Sequence, residues 1–340
     1  MLKLALIGCG RSVTVGHAPA LTALPDRYQV VAIADRSPEA LASVGMLLGI
    51  APEHRYADYR DLLLREDIEV VDITVPNAFR HDIAAAFLSV GVHLITERPL
   101  ALSLHDAEDL LKLAEMHGKL ITVMHYLLYY PPFAEGLRLV RAGQIGEPFF
   151  IRCEGVSGGF GAGTETYHPA WQENIDIAGG GVWLESGYHS AYLCSELMNS
   201  PVISVTARIG SYQNDDGVDD TATALCTHEN NGISSIQAAW SVPSGGRRVF
   251  EIYGSEGSIV YDHDGYTLGI FSNKTQSWHH PEITLERAGS FIGIYRALAD
   301  CLQYGAIPPV SHRDALHTQR IITAGYRASE NDTVEGVEIE

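Results

Sequence analysis

This chain of 340 residues is short of cysteine, of positive charge and of long apolar runs, and each shortage argues against a class of protein. Its five cysteines are scattered, and no two have the spacing of a zinc knuckle or of a redox-active pair. We therefore expect free thiols in a reducing compartment rather than a disulfide scaffold. The adjacent His279 and His280 have no third ligand at a suitable spacing, so we expect no metal site.

Positive charge is scarce, because 23 Lys and Arg stand against 42 Asp and Glu and leave a net charge of −19. This balance argues against a general affinity for nucleic acid or for an anionic membrane. No apolar run approaches the length that spans a bilayer, and the first strand begins at once, which leaves no room for a signal peptide. We expect a cytoplasmic protein that binds neither nucleic acid nor a membrane.

The N-terminal stretch has the pattern of a dinucleotide-binding β-α-β unit. The apolar run Lys3–Ile7 leads into Gly8-Cys9-Gly10-Arg11 and a helix-like segment, and a second apolar run, Val30–Ala34, ends at Asp35. The glycines permit a tight turn and a close backbone approach to a pyrophosphate, to which the helix N-terminus presents N–H groups. The acidic residue after the second strand accepts hydrogen bonds from ribose hydroxyls.

The glycine motif is incomplete. Val13 stands where a third glycine is expected, and the next glycine is Gly16. Two glycines after a strand are also compatible with a purely structural turn, but the order of strand, turn, helix, strand and Asp35 favours nucleotide binding. We expect Cys9, inside the turn, to be a small filler rather than a nucleophile.

Strand-like and helix-like segments alternate through residues 1–124. Further buried strands are predicted at 70–75, 93–96 and 120–123, and helices at 38–48, 58–65, 80–90 and 104–117. This alternation predicts a doubly wound parallel sheet with helices on both faces, a Rossmann domain. Ligands bind at the carboxyl ends of such strands. Here those ends are Gly8–Gly10, Asp35, Thr74–Asn77 and Thr96–Pro99.

From residue 125 the pattern changes to short alternating strands joined by turn residues. After a helix at 133–142, strands are predicted at 149–154, 204–209, 221–227, 233–240, 248–253, 258–262 and 267–271, and helices near 291–304 and 313–327 close the chain. The fold class is therefore α/β, with an N-terminal Rossmann domain at 1–124. A C-terminal α+β domain at 125–340 is expected to carry a large, mostly antiparallel open sheet.

Several short motifs occur in a characteristic order along nearly the whole chain. They are Gly8-Cys9-Gly10 with His17-Ala18-Pro19-Ala20-Leu21, Thr74-Val75-Pro76-Asn77, Glu97 with Pro99, Gly179-Gly180-Gly181 with Gly187 and His189, Asp220-Thr221-Ala222, Ile252-Tyr253-Gly254-Ser255-Glu256-Gly257 and Ala324-Gly325-Tyr326-Arg327-Ala328-Ser329. With these motifs the sequence resembles the Gfo/Idh/MocA family of NAD(P)-dependent oxidoreductases. The resemblance implies a homodimer or homotetramer that acts on a carbohydrate or cyclitol.

The tripeptide Glu97-Arg98-Pro99 departs from the family pattern, which has lysine in the middle. In the family that lysine touches cofactor and substrate and helps to move a proton. A guanidinium is effectively always protonated, so Arg98 can bind and polarise an oxygen but is a poor proton relay. The alternative is a strand-end arginine that only pairs with a carboxylate such as Glu97.

Glu185 and His189 are four residues apart in a helix-like segment, so we expect them to share a face. The family has Asp and His at this spacing, and the resemblance implies that His189 is the catalytic base and that Glu185 orients it. The alternative is an ordinary surface pair. Gly179-Gly180-Gly181, just before the pair, suggests a loop that approaches a ligand closely.

Aromatic residues follow the fifth predicted strand, where family members have an arginine or asparagine. His125 and Tyr126 are candidate substrate-binding residues here, and Tyr167, His168 and Trp171 are further candidates. Aromatic rings can stack on a sugar ring and donate hydroxyls, but packing between domains would need the same residue types.

The resemblance also implies which residues bind the cofactor. They are Gly8, Gly10, Arg11, Asp35, Arg36, Thr74, Pro76, Asn77, Glu97 and Arg98. Asp35 would repel a ribose 2′-phosphate and accept from a 2′-hydroxyl, which favours NAD over NADP. Arg36 complicates this, because its guanidinium could pair with that phosphate.

Three functions remain open. The first is hydride transfer between nicotinamide and a hydroxyl-bearing carbon of a sugar, cyclitol or related polyol, with His189 as base and Arg98 stabilising an oxyanion. The second is a redox-neutral lyase, hydrolase or epimerase reaction on a sugar derivative with a bound nicotinamide. The third is a non-catalytic NAD-binding sensor, since both usual catalytic positions are altered.

Overall fold

The computed structural model describes residues 1–157, 170–213, 217–242, 246–263, 265, 267–283, 287–308 and 310–339. The chain forms two compact units, residues 1–129 with 286–316, and residues 130–285 with 317–340. The division into domains at residues 124 and 125 stays a prediction. No helix among the described residues is both long and apolar enough to cross a membrane.

The first unit is built on a parallel sheet with six strands in the described residues. They are β1 (Leu2–Ile7), β2 (Tyr28–Ala34), β3 (Arg55–Tyr56), β4 (Val70–Ile73), β5 (His93–Thr96) and β6 (Ile121–Val123). Their spatial order is β3-β2-β1-β4-β5-β6, so the direction of winding reverses between β1 and β4. The predicted Rossmann fold is confirmed, and the edge strand β3 is an addition to it.

The α-helices of the described residues alternate with these strands and continue through the second half of the chain. They are α1 (Ala18–Thr22), α2 (Pro38–Leu47), α3 (Arg80–Ser89), α4 (Leu104–His117), α5 (Pro131–Arg141), α6 (Ile175–Ala178), α7 (Tyr188–Met198), α8 (Arg287–Tyr304) and α9 (His312–Asn331). The side chain of Ser37 accepts from the Ala40 N–H at 3.2 Å and caps α2, as predicted. Gly118, with φ of 60°, ends α4.

Helix α8 belongs to the first unit, although it lies far along the chain. Phe291 and Tyr295 of α8 are buried among apolar side chains of β1, β2 and the first helical segment. A Cβ on Gly16 would stand 2.6 Å from the Phe291 ring. Gly16 therefore allows the Phe291 ring of α8 to pack closely against the first helical segment. Its role is in packing, and it does not stand at the third position of the glycine motif.

The second unit is built on an open sheet with nine strands in the described residues. They are β7 (Pro148–Val156), β8 (Val202–Gly210), β9 (Thr221–His228), β10 (Ile233–Ala239), β11 (Arg248–Gly254), β12 (Gly257–Asp262), β13 (Thr267–Ser272), β14 (Ser277–His279) and β15 (Glu335–Gly336). The order is β14-β13-β12-β11-β7-β10-β9-β8-β15, and the pairings are antiparallel except β7 with β10. The predicted mostly antiparallel sheet is confirmed.

Two helical segments differ from the regular α-helices that the sequence predicts. Val13–His17 and Trp183–Gly187 are π-helical turns, each continuing directly into an α-helix. Smaller differences lie in the first unit, where 58–65 is a 3₁₀ helix over Tyr59–Leu64 and the third predicted strand ends at Ile73. π-Helical turns are rare and occur frequently at functional sites, and the second of these two turns contains the predicted site residue Glu185.

Candidate active site

The glycine turn after β1 is closed by Thr74. Gly8 has φ of +94°, and a Cβ there would stand 2.6 Å from the Thr74 Oγ1. That hydroxyl lies 3.1 Å from the Ile7 carbonyl oxygen and 3.0 Å from that of Gly8, to which it can donate. Thr74 thereby joins the carboxyl ends of β1 and β4, where the winding reverses and where ligands bind in such sheets.

Gly10 leaves open space at the start of the first helix. A Cβ on this exposed residue would meet no atom within 4 Å. Arg11 is half-buried and already helical, so the N–H groups of the first helical turn face the edge of the sheet at the end of β1. Open space in front of helix N–H groups is what a pyrophosphate requires.

Asp35, directly after β2, is tied to the same turn. Its Oδ2 accepts from the Cys9 N–H at 2.6 Å, and its Oδ1 accepts from the Ser37 N–H at 2.8 Å. Burial, together with the Asp35 charge, raises the pKa of the Cys9 thiol to about 12, so Cys9 is a neutral filler. Arg36, the next residue, is exposed.

Arg80 joins the loops that follow β4 and β5. This buried residue donates from Nε to the Val75 carbonyl at 3.2 Å and from Nη1 to the Pro99 carbonyl at 2.8 Å. The peptide before Pro99 is cis. The two bonds hold the loop of Pro76 and Asn77, both predicted cofactor-binding residues, against the loop that carries the Glu-Arg-Pro tripeptide.

A buried polar cluster holds Glu97. The Nε2 of His17 lies 3.0 Å from the Glu97 Oε1, and its Nδ1 lies 2.8 Å from Asp72 Oδ2 and 2.7 Å from the Tyr295 hydroxyl. Tyr295 also donates to Asp72 Oδ2. The other oxygen of Glu97 accepts from the Arg98 N–H at 3.2 Å, so both carboxylate oxygens are engaged.

These contacts keep both His17 and Glu97 charged at neutral pH. Burial lowers the pKa of the His17 ring, but the carboxylates of Asp72 and Glu97 together raise it to about 10. Burial raises the pKa of the Glu97 carboxyl, but the hydrogen bond and charge of His17, with the nearby Arg98 charge, lower it to about 2. The Glu97 side chain is 13% exposed, so the carboxylate reaches the edge of the cluster.

His125 and Tyr126 follow β6 in the first unit. Burial and the Arg98 charge lower the pKa of His125 to about 3, so this ring is neutral. Tyr126 is half-buried and stacks on Phe291, with ring centroids 4.4 Å apart. Phe291 therefore covers one face of the Tyr126 ring. The role of His125 and Tyr126 in substrate binding stays a prediction.

In the second unit, Glu185 lies in the π-helical turn and His189 lies in the first turn of α7. Both side chains are half-buried. The Nδ1 of His189 lies 2.8 Å from the hydroxyl of Tyr192, which is buried. When Nδ1 carries the proton, the lone pair is left on Nε2, and the ring can act as a base there.

Asp219 fixes the start of this π-helical turn. Its carboxylate accepts from the Gly181 N–H at 2.7 Å, from the Trp183 N–H at 2.8 Å and from the Tyr326 hydroxyl at 2.8 Å. A carboxylate at the beginning of a helix satisfies N–H groups that have no partner within the helix. The position of Glu185 in the turn thus depends on a loop residue before β9 and on α9.

Packing within the second unit accounts for the glycine triplet. A Cβ on Gly180 would collide with the Tyr326 hydroxyl, and one on Gly181 would collide with the Asp219 backbone. Gly179, with φ of 79°, ends α6. Each glycine thus has a reason within the unit, and the close approach of the triplet to a ligand stays a prediction.

Of the remaining predicted substrate residues, the structure describes one, Trp171. Trp171 is half-buried in a 3₁₀ turn, Ala170–Gln172. Tyr167 and His168 lie outside the described residues.

Sequence reasoning missed the roles of His17, Asp72, Tyr295 and Asp219. Asp72 gave a signal, because a carboxylate inside an apolar strand needs a buried partner. Nothing in the spacing indicates that this partner is His17, or that Tyr295 joins them from 223 residues further along the chain.

Two family models match the chain. One is described as the oxidoreductase family with an NAD-binding Rossmann fold and matches residues 2–125, and the other is the GFO/IDH/MocA C-terminal domain and matches residues 133–260.

Among curated proteins, the chain is 27% identical to D-apiose dehydrogenase of Paraburkholderia graminis, over 98% of this chain and 89% of that protein. It is 23% identical to scyllo-inositol 2-dehydrogenase (NADP(+)) of Bacillus subtilis, over 96% and 94% of the two chains. Among solved structures, it has the fold of levoglucosan dehydrogenase in complex with NADH, with a TM-score of 0.90 and 21% identity over the full length of both chains.

Proposed function

Because the chain belongs to the Gfo/Idh/MocA family of oxidoreductases, we propose that it transfers hydride between a nicotinamide cofactor and a hydroxyl-bearing carbon of a sugar, cyclitol or related polyol. The observation that carries the proposal is the edge of the parallel sheet at the ends of β1, β4 and β5. There the open turn at Gly10 follows β1, and the charged residues Glu97 and Arg98 follow β5, with β4 between the two strands.

The described residues fit a dinucleotide at this edge. Gly8 and Gly10 allow a backbone approach that no side chain obstructs, and Asp35 stands beside the same turn, 2.6 Å from the Cys9 N–H. In this proposal the helix N–H groups after Gly10 bind the pyrophosphate, and Asp35 accepts from the ribose. Thr74, Pro76, Asn77 and Glu97 would hold the nicotinamide end, and Arg11 and Arg36 would bind the phosphates and the adenosine. When bound, the nicotinamide supplies the acceptor or donor of hydride.

Preference for NAD over NADP stays part of the proposal. The Asp35 carboxylate supports NAD, since it would repel a 2′-phosphate. The exposed Arg36 leaves room for NADP, because its guanidinium is not fixed within the core. Direct measurement of both dissociation constants decides between the two.

His189 is the proposed base. Its Nδ1 is oriented by Tyr192, so Nε2 can accept the proton of the substrate hydroxyl as hydride leaves the carbon. Glu185, in the preceding turn, would favour the charged form of the ring after that transfer. Arg98 would stabilise developing negative charge on the substrate oxygen, because a guanidinium keeps its charge at every relevant pH.

Substrate recognition is proposed to involve aromatic residues. His125 and Tyr126 follow β6, and Trp171 lies in the second unit. Tyr167 and His168 stay candidates from the sequence. Half-buried aromatic rings offer an apolar face for the C–H groups of a sugar.

A turnover screen tests the proposed function. Purified protein is given NAD⁺ or NADP⁺ with a panel of sugars, cyclitols and polyols, while reduced-nucleotide absorbance and substrate mass are followed in the same samples. We expect reduced nucleotide to accumulate with a loss of two hydrogens from the substrate. Substrate that changes while the absorbance stays flat would establish the redox-neutral reaction instead.

The base is tested separately by His189→Ala. Turnover is expected to fall by about 100-fold or more, which is the usual contribution of a general base. His279→Ala, which removes an exposed histidine from the edge strand β14, is the matched control and should leave turnover unchanged. Full turnover by the His189 variant would remove it from the mechanism.

A homo-oligomer in a reducing compartment is also proposed. The outward side of the nine-stranded sheet carries the stacked rings of Phe150 and Tyr253 and a half-exposed Leu225, which suit a self-complementary interface. All five cysteines are free, and Cys9, Cys153, Cys194 and Cys226 are buried, as suits the cytoplasm. The mass of the protein in solution tests the oligomeric state, and Leu225→Glu is expected to weaken association.

A further inference from the structure

His17 is a fully buried histidine at the end of the first π-helical turn. It connects this turn to three other parts of the first unit. Its ring contacts Asp72 of β4, Tyr295 of α8 and Glu97 after β5. Each ring nitrogen faces a carboxylate oxygen, at 2.8 Å for Nδ1 and 3.0 Å for Nε2. Both nitrogens therefore act as donors, which requires an imidazolium.

The cluster is costly unless it serves something besides packing. Charged side chains lose their hydration on burial, and apolar residues of similar volume are often as stabilising as a buried ion pair. Strand β4 is buried along its whole length, so an apolar side chain at position 72, like those of Val71 and Ile73, would be enough for packing. Asp72, with Tyr295, instead holds the Nδ1 side of the His17 ring while Nε2 faces Glu97.

Within the described part of the chain, the cluster reaches the candidate active site at the Nε2 side of the His17 ring, through Glu97. His17 holds the Glu97 carboxylate at Oε1 and the Arg98 N–H holds it at Oε2, and these two hydrogen bonds orient it. Glu97 also lies at the carboxyl end of β5, next to β4 in the sheet. Its orientation is thus set from the core and not by solvent.

We propose that His17 is a positioning residue, which Asp72 and Tyr295 hold in place so that Glu97 presents an oriented carboxylate to the nicotinamide end of the cofactor. The inference rests on the proposed function only for the place of the cofactor. A fixed negative charge stabilises a nearby cation more than a neutral group. The oxidised nicotinamide is cationic and the reduced one is neutral, so Glu97 should favour binding of the oxidised cofactor.

The ratio of the NADH and NAD⁺ dissociation constants measures this effect without any substrate. His17→Asn keeps an amide near the Nδ1 position toward Asp72 but removes the donor toward Glu97. His17→Gln can place its amide near the Nε2 position, toward Glu97. His17→Asn also removes the imidazolium charge, so burial is left to raise the pKa of Glu97, and the carboxyl loses its charge together with its orientation. We therefore expect His17→Asn to weaken NAD⁺ binding about tenfold, NADH binding by less than about threefold, and His17→Gln to restore part of the difference.

A pair of tyrosine variants gives a matched control. Tyr295→Phe removes a hydroxyl that contacts His17 and Asp72, whereas Tyr28→Phe removes a buried hydroxyl that donates only to the Tyr295 carbonyl, at 2.7 Å. Both changes remove one buried hydroxyl beside α8. We expect only Tyr295→Phe to change the ratio of the two dissociation constants, by about threefold.

Coupling between His17 and Glu97 provides the decisive comparison. Glu97→Gln should lower the preference for NAD⁺ as His17→Asn does, and the double variant should show no further loss, because both remove the same oriented charge. Unchanged ratios in His17→Asn and Tyr295→Phe, with lower melting temperatures only, would make the cluster structural and overturn the proposal. If His17→Asn does not fold, the Tyr295→Phe ratio decides alone. Intact ratios with no sugar turnover would instead contradict the proposed function.

Discussion

The backbone N–H of Gly181 donates to the carboxylate of Asp219 at 2.7 Å, and the Asp219 backbone occupies the space that a Cβ on residue 181 would need. This contact sets where the π-helical turn with Glu185 begins. The turn continues into α7, which carries the proposed base His189. Asp219, in the loop before β9, therefore helps to determine the position of two proposed site residues.

Gly181→Ala is expected to destabilise the protein by about 3 kcal/mol or more, because the added methyl group would collide with backbone rather than with a side chain that can move. Chemical denaturation measures the loss of unfolding free energy. Gly336→Ala is the control, since a Cβ there meets nothing within 4 Å. Equal stability of the two variants would show that the Asp219 loop moves easily and does not fix the turn.

Gly10→Ala should separate stability from cofactor binding. A Cβ on Gly10 meets no protein atom within 4 Å, so the unfolding free energy should change by less than about 0.5 kcal/mol. The same methyl group would project into the space proposed for the pyrophosphate, and NAD⁺ binding should weaken by about tenfold or more. Undiminished binding would place the dinucleotide elsewhere.

The sequence was most informative where local chemistry decides the structure. Ser37 caps α2 and Gly118 ends α4 as predicted, because each acts through contacts within a few residues. The alternation of strands and helices likewise determined the parallel sheet, since each buried strand needs apolar residues on both faces. Such features depend on spacing that can be read directly from the chain.

The structure differed where contacts join distant parts of the chain. The spacing of the triplet cannot show that a Cβ on Gly181 would meet the Asp219 backbone, 38 residues further along the chain, or that one on Gly180 would meet the Tyr326 hydroxyl. In the same way, the spacing of residues cannot show that α8 packs into the first unit or that Tyr295 meets Asp72. The π-helical turns were also missed, because an α-helical and a π-helical turn have the same apolar pattern over five residues.

The stability of the protein should fall as pH rises above neutrality because of His17. Its pKa of about 10 lies above the ordinary 6.5, so the folded state holds a proton that the unfolded state has lost. This contribution is complete below about pH 6.5 and disappears by about pH 10. The unfolding free energy should decline across that range, by at most about 1.4 kcal/mol per pH unit.

The comparison with His17→Gln isolates this contribution. The variant has no titrating ring at residue 17, so its unfolding free energy should decline less steeply from pH 7 to 9 than that of the unchanged protein. Burial raises the pKa of the thiols of Cys9, Cys153 and Cys226, which also makes stability fall with pH, but this contribution is the same in both proteins and cancels in the comparison. Glu97 works in the opposite direction, because its pKa of about 2 is below the ordinary 4.5 and its contribution is lost in acid. Parallel pH profiles for the two proteins would show that His17 is neutral in the folded state.

Arg98→Lys tests whether the arginine is adapted to the reaction of this protein. Both side chains are cations, so the charge that helps to lower the pKa of Glu97 and of the buried His125 is retained. A lysine lacks the planar fork of donors, and its ammonium cannot contact an oxygen in the same two-point geometry. We expect kcat/KM to fall by about tenfold or more, while NAD⁺ binding changes by less than about threefold. A rise in turnover would instead mean that the arginine weakens an activity that the lysine of the family supports, and the sensor function would then become the better explanation.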